Sequence, residues 1–158
     1  MTRVRVIGCG NPEAGDDAVG LLAVGLARRR LPPEVEVVDA GLALKVIDLL
    51  EDVDAVVIVD AVRAPSGGRP SGTLVRAVGD PDGLPAELRG TLSSHGLGIA
   101  EAVGLAAAMN PLPRVVFLGV EATDLTAGHG LSPAVAETLP ILVDALVEEV
   151  ASLAESPV

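Results

Sequence analysis

The sequence of 158 residues is nearly without aromatics: Phe117 stands alone, with no tryptophan and no tyrosine. Stacking platforms for nucleic-acid bases are therefore absent. Positive charge is also scarce, with 11 Lys and Arg against 22 Asp and Glu and a formal net charge of -11. The longest basic run, Arg28-Arg29-Arg30, is too short to neutralise a phosphate backbone, so nucleic acid is excluded as a partner. Cysteine occurs once, at Cys9, which rules out an intramolecular disulfide and argues against a small secreted scaffold. No apolar run suits a bilayer, since the most hydrophobic helix-like stretch, Ala18 to Ala27, is about half of what a crossing requires. At the start, Arg3 and Arg5 alternate with Val4 and Val6 as in a strand, and a glycine turn arrives before any leader-like segment develops. We expect a cytoplasmic protein with no membrane insertion.

What is present is a large apolar fraction, 49% of the residues, enough for a continuous core in one domain spanning residues 1–158. Periodicity predicts strands at Val4–Gly8, Glu34–Val38, Ala55–Val62 and Arg114–Val120, with Gly72–Val78 as a further strand at an edge. Helical patterns cover Asp17–Arg30, Leu42–Leu50, Ser94–Asn110 and Ser132–Leu153, the last with a bend expected at Pro140. Strands alternating with helices imply an α/β fold, a mostly parallel sheet with helices on both faces in three layers. Ligands of such sheets sit beyond the carboxyl ends of the strands.

That edge gathers Asn11, Asp16 and Asp17 after the first strand, Asp39 after the second, Asp60 at the end of the third and Glu121 after the last. His95 joins them from a helix start. Converging carboxylates repel unless they are hydrogen-bonded or share a cation. The trio Asp17, Asp60 and His95 offers two carboxylates and an imidazole, a donor set suited to nickel, zinc, iron or manganese rather than calcium. Plainer roles exist for each: Asp16 or Asp17 as a helix cap, Asp60 as a strand terminator, His95 as a surface helix-start residue. Cys9, between two glycines, reads as a small residue under a tight turn, and His129 as structurally incidental. A dinucleotide site is weakened because Glu13 replaces the third glycine of that fingerprint and Asp16-Asp17 would face the pyrophosphate.

In this order, "GCGNPEAGDDAVG", "DAG" at Asp39 to Gly41, "VIVDAV" at Val57 to Val62, "SSHGLG" at Ser93 to Gly98 and "GVE" followed by "LSP" resemble the nickel-iron hydrogenase maturation endopeptidases over nearly the whole chain. The resemblance implies a five-stranded sheet between helices. It also implies an endopeptidase that removes a C-terminal extension from the hydrogenase large-subunit precursor after nickel insertion. The family's two metal-contacting acids and its histidine fall on Asp17, Asp60 and His95. Nickel is then expected to arrive with the substrate, with zinc or cadmium as substitutes. Asp16 and Asp39 are candidates for a general base, and Asn11, Gly41, Leu42 and Glu121 for substrate contacts. Two departures stand near the expected site: Leu42 where the family usually has Thr, and Ala122 where it usually has Pro. A non-catalytic chaperone that binds nickel centres is the alternative, and a dinucleotide-binding enzyme a more distant one.

Overall fold

The chain folds, in a computed structural model describing residues 1–63, 68–88 and 98–156, around one sheet of short apolar strands. Val4–Cys9 (β1), Glu36–Gly41 (β2), Ala55–Val62 (β3), Leu74–Val78 (β4) and Arg114–Glu121 (β5) lie in the order β2-β1-β3-β5-β4. All neighbours are parallel except β4, which pairs antiparallel with β5 at the edge. The helices are Val19–Ala27 (α1), Val46–Leu49 (α2), Ile99–Met109 (α3) and Pro133–Glu155 (α4). No helix among the described residues is long and apolar enough to cross a membrane.

The pleat sorts the core into two layers. Along β3, Ala55, Val57 and Val59 face α1 and α4, while Val56 and Ile58 face α2 and α3 together with Phe117 of β5. Burial on both faces is why β3 and β5 read as continuous apolar runs rather than alternating ones. On one side α1 presses close to the sheet: a Cβ at Gly20 would lie 2.4 Å from the Val59 carbonyl oxygen and 2.8 Å from that of Cys9. Only glycine fits there, and this approach sets the loop entering α1 directly over the ends of β1 and β3.

The expected α/β architecture is present, with shifted boundaries. The first helix is a composite: a 3-10 turn at Gly15–Ala18, α1, and a second 3-10 turn at Arg28–Arg30. The second strand begins and ends later than expected, so that Asp39 lies within it. The helix expected at Leu42–Leu50 is reduced to a 3-10 turn at Ala43–Lys45 followed by α2. Pro140 lies inside α4 without ending it.

Candidate functional site

From β1 the chain crosses to β2 on one side and returns to β3 on the other, so the carboxyl ends of β1 and β3 form a topological switch point. Gly10 occupies this crevice with φ +123°, a conformation that a side chain would strain. A Cβ at Gly10 would lie 2.0 Å from the Asp17 carbonyl oxygen and 3.4 Å from Asp60 Oδ1. The two acids, 43 positions apart in sequence, thus flank one glycine.

Both are held by backbone donors. The Asn11 N–H donates to Asp17 Oδ2 at 2.9 Å, and the Ala61 N–H to Asp60 Oδ1 at 2.7 Å. Burial pushes the Asp60 carboxyl well above the usual carboxylate range, the charge of Asp17 adds to this, and the Ala61 bond only partly opposes it. Cys9 is also in their field: burial, then Asp60, then Asp17 raise its thiol, which is 1% exposed and held protonated. A buried carboxylate set beside a second acid in this way forms a site that favours a cation. Among the described residues no group of three His, Cys, Asp or Glu is arranged to hold a metal ion. His95, the third expected donor, lies outside the described residues.

Several expected contacts belong to the frame of this crevice. Asn11 acts on Asp17 through its main chain, since its Oδ1 accepts the Glu13 N–H at 2.9 Å. Gly41, with φ +69°, accepts the Gly10 N–H at 3.0 Å, tying the end of β2 to the glycine between the acids. Leu42 follows with its side chain 43% exposed. Glu121 pairs in register with Val62, two positions beyond Asp60, and is buried beside Arg69, whose Nη2 is 3.7 Å from Oε2.

Neither expected general base is placed for that role. Asp16 has no exposed surface, and its carboxylate accepts the Ser132, Thr123 and Asp124 N–H groups and the Ser132 hydroxyl at 2.7–2.9 Å. Burial alone would raise its pKa, but these bonds outweigh it and hold the carboxyl below the usual range. It is a tether for the loop after β5, enclosed by its donors and out of reach of a substrate proton. Asp39 pairs in register with Gly8, whose absent side chain points at Val24 of α1. Paired residues in a parallel ladder project to the same side, so Asp39 faces the α1 layer, where Arg28 lies 3.7 Å away. Asp60 continues the series Val56, Ile58 toward α2 and α3, on the opposite face of the sheet.

Sequence reasoning overlooked the tether itself. Thr123, Asp124 and Ser132 are more than 100 positions from Asp16, and His129, 2.8 Å from Asp124 Oδ2, closes the same loop. The only signal was "LSP", read as part of a family pattern. A cavity of about 680 Å³ lies at the other end of the sheet, between Leu50, Val53, Asn110 and Leu112 near the starts of β3 and β5, and does not reach the acids.

The model of the hydrogenase maturation protease family matches residues 21–149 of the chain. Among solved structures, the hydrogenase maturating endopeptidase HybD from E. coli aligns with a TM-score of 0.80 and 23% identity, over 95% of this chain and 93% of that one. The [NiFe] hydrogenase maturation protease HycI from Thermococcus kodakarensis gives 0.69 and 24%, over 95% and 93%. The hydrogenase 2 maturation peptidase from a Thaumarchaeota archaeon gives 0.68 and 29%, over 93% and 97%. At the two lower identities the likeness is one of fold. No curated protein sequence matches the chain.

Proposed function

The chain belongs to the hydrogenase maturation protease family, and from that premise we propose that it is the endopeptidase that removes a C-terminal extension from a nickel-iron hydrogenase large-subunit precursor after nickel insertion. The observation that carries this reading is the juxtaposition of Asp17 and Asp60 across Gly10 at the switch point. In the free protein each opposes the other's charge, and a divalent cation offsets both. Two carboxylates, with His95 as a third donor, suit nickel, and zinc or cadmium as substitutes.

Nickel is cargo in this scheme, brought in by the precursor. Asp17 and Asp60 recognise it with their oxygens already oriented by the Asn11 and Ala61 N–H groups, so little ordering remains at the moment of docking. The ion supplies recognition, together with polarisation of the carbonyl or water during hydrolysis. Gly41, whose carbonyl accepts the Gly10 N–H, and Leu42 next to it form the rim along which the precursor's extended segment approaches. Neither Asp16 nor Asp39 is assigned as general base, because one is wholly buried among four donors and the other faces the α1 layer.

A precursor without nickel brings nothing to offset the paired carboxylates and is a poor substrate. The test incubates the purified protein with nickel-loaded and metal-free precursor and follows the mass of the large subunit. Cleavage of the loaded form alone is expected. Equal cleavage of both forms would refute nickel gating, and binding without cleavage of either would identify a chaperone instead.

A further inference from the structure

Donors taken out of water are costly unless they find acceptors, and Arg69 carries two that have none. Its Nε and Nη2 are buried without a hydrogen-bond partner. Glu121 balances the charge, but its Oε2 lies 3.7 Å from Nη2, too far for a hydrogen bond. The two donors belong together: Nε and Nη2 form one edge of the planar guanidinium, a fork that aims two N–H groups the same way.

This fork stands at the carboxyl edge of the sheet. The Gly72 N–H donates to the Glu121 carbonyl oxygen at 2.8 Å, and the Glu121 N–H to the Thr73 carbonyl oxygen at 2.9 Å. The Thr73 N–H in turn donates to the Pro70 carbonyl oxygen at 3.2 Å, so the segment that follows Arg69 is strapped to the end of β5. Within the ladder Glu121 pairs with Val62 and Gly119 with Asp60, which puts Asp60 and Glu121 on the same face, one strand and two positions apart. That diagonal is about 8 Å, a distance an extended chain covers in about three residues. The order β2-β1-β3-β5 sets Gly41, the two acids and Glu121 in succession along this edge.

Charge decides what the fork takes. A carboxylate seated on it would also face Glu121, in a protein of net charge -11, whereas a neutral carbonyl oxygen accepts from both donors without that repulsion. We propose that Arg69 holds a main-chain carbonyl of the large-subunit precursor, about three residues from the nickel, where the segment leaves the acids and passes over the end of β5. A second copy of the chain also has carbonyls, but only a chain whose nickel lies between Asp17 and Asp60 is obliged to pass within this reach. The Arg69 side chain is 29% exposed, and turning its fork to the rim breaks no hydrogen bond of Nε or Nη2, because they make none. Glu121 is the counter-ion that keeps the guanidinium at this edge. The assignment rests on the maturation reading above, and the experiment separates the two.

Arg69→Lys keeps a positive charge beside Glu121 and removes the fork, so it separates hydrogen bonding from charge balance. With folding checked by thermal unfolding and the crevice by nickel calorimetry, KM for the nickel-loaded precursor is expected to rise about tenfold with kcat unchanged. The double variant Arg69→Gln with Glu121→Gln removes both charges of the pair together; it is expected to raise KM likewise, and it decides the matter if the lysine variant does not fold. Unchanged KM in a folded variant overturns the contact and leaves the maturation reading intact. If the KM effect of Arg69→Lys vanishes with a precursor whose acidic side chains in the C-terminal segment are changed to amides, the fork takes a carboxylate and the carbonyl assignment is overturned. A wild-type dimer that Arg69→Lys dissociates overturns it too, because the fork then serves a second copy. If the wild-type protein cleaves no precursor, the maturation reading fails, and co-sedimentation with loaded precursor decides the contact separately. Binding that Arg69→Lys weakens supports it, and unchanged or absent binding overturns it.

Discussion

Replacing Asp16 with Asn tests whether one buried carboxylate anchors the loop after β5. The substitution keeps shape and removes the charge. Asp16 Oδ1 accepts the Ser132 N–H at 2.7 Å, while Oδ2 accepts the Thr123 and Asp124 N–H groups and the Ser132 hydroxyl at 2.9 Å each. An amide presents one acceptor and one donor. Turned so that its oxygen replaces Oδ2, it faces the Ser132 N–H with its own N–H2; turned the other way, it faces Thr123 and Asp124. A hydrogen bond to a charged group contributes about 1.5–3 kcal/mol, and a buried donor left unpaired costs about 1–3 kcal/mol more. Allowing for relaxation of the loop, a loss of about 3 kcal/mol is expected, or a Tm lowered by about 6–12 °C for a domain of this size. The pH dependence has a fixed sign. The folded pKa of Asp16 is depressed, so its contribution is fully present above the ordinary carboxylate pKa and is lost as pH falls through the lower folded value. The gap between wild type and variant should be steady above about pH 5 and close below about pH 4. Thermal and urea unfolding followed by circular dichroism measure both. A variant within about 0.5 kcal/mol of wild type at pH 7 would refute the tether, since that is the scatter of a neutral surface change.

Other expectations rest on the same geometry. Gly20→Ala should cost about 2–3 kcal/mol in urea unfolding, because its methyl would sit 2.4 Å from the Val59 carbonyl oxygen. Gly25→Ala, in open space on the same helix, should instead gain about 0.5–1 kcal/mol; equal effects at the two sites would contradict the close approach of α1. Cys9, buried and with its thiol pushed up by burial and by Asp60 and Asp17, should resist iodoacetamide at pH 8 until the protein unfolds. Rapid native labelling, seen as a mass increment, would show an accessible thiolate. In nickel calorimetry Asp17→Asn and Asp60→Asn should each weaken binding by about tenfold or more, with Asp39→Asn unchanged. A strong effect of Asp39→Asn would contradict its placement on the α1 side.

The sequence made Asp60 legible because β3 is apolar through eight residues and the acid interrupts that run near its carboxyl end, where ligands of parallel sheets collect. It made β4 legible as an edge strand because a short β-prone run, Gly72–Val78, follows a stretch rich in Gly, Ser and Pro. Asp39 was misplaced for a reason specific to strands. Ending β2 at Val38 leaves Asp39 free to turn toward the crevice, but pairing of β2 with β1 runs on to Gly41, and within a ladder the pleat alone decides the face. Asp16 could not be assigned from local spacing, because every partner of its carboxylate lies more than 100 positions away. A capping role looked natural for one of the acidic pair. In fact neither side chain caps the 3-10 turn or α1, since one reaches across to the loop after β5 and the other back to Asn11.

Asp16 and Asp17 therefore show how adjacent identical residues acquire opposite chemistry. Both lie in the 3-10 turn Gly15–Ala18, where successive side chains project about 120° apart. One consequently points inward, away from the crevice, and finds four donors; the other points at Asp60 and finds one, the Asn11 N–H. The first carboxylate is stabilised as an anion by the fold, and the second is left with acceptor capacity and a like-charged neighbour. The inward acid is also what fixes the outward one. Its own N–H donates to the Asp124 carbonyl oxygen at 2.7 Å, so the turn is clamped to the loop after β5 from both main chain and side chain. An α-helical start would separate the pair by only 100° and would commit the first N–H groups to caps rather than to a distant loop. The 3-10 turn is thus the local feature that divides one acidic doublet into a structural anchor and a cation-facing group.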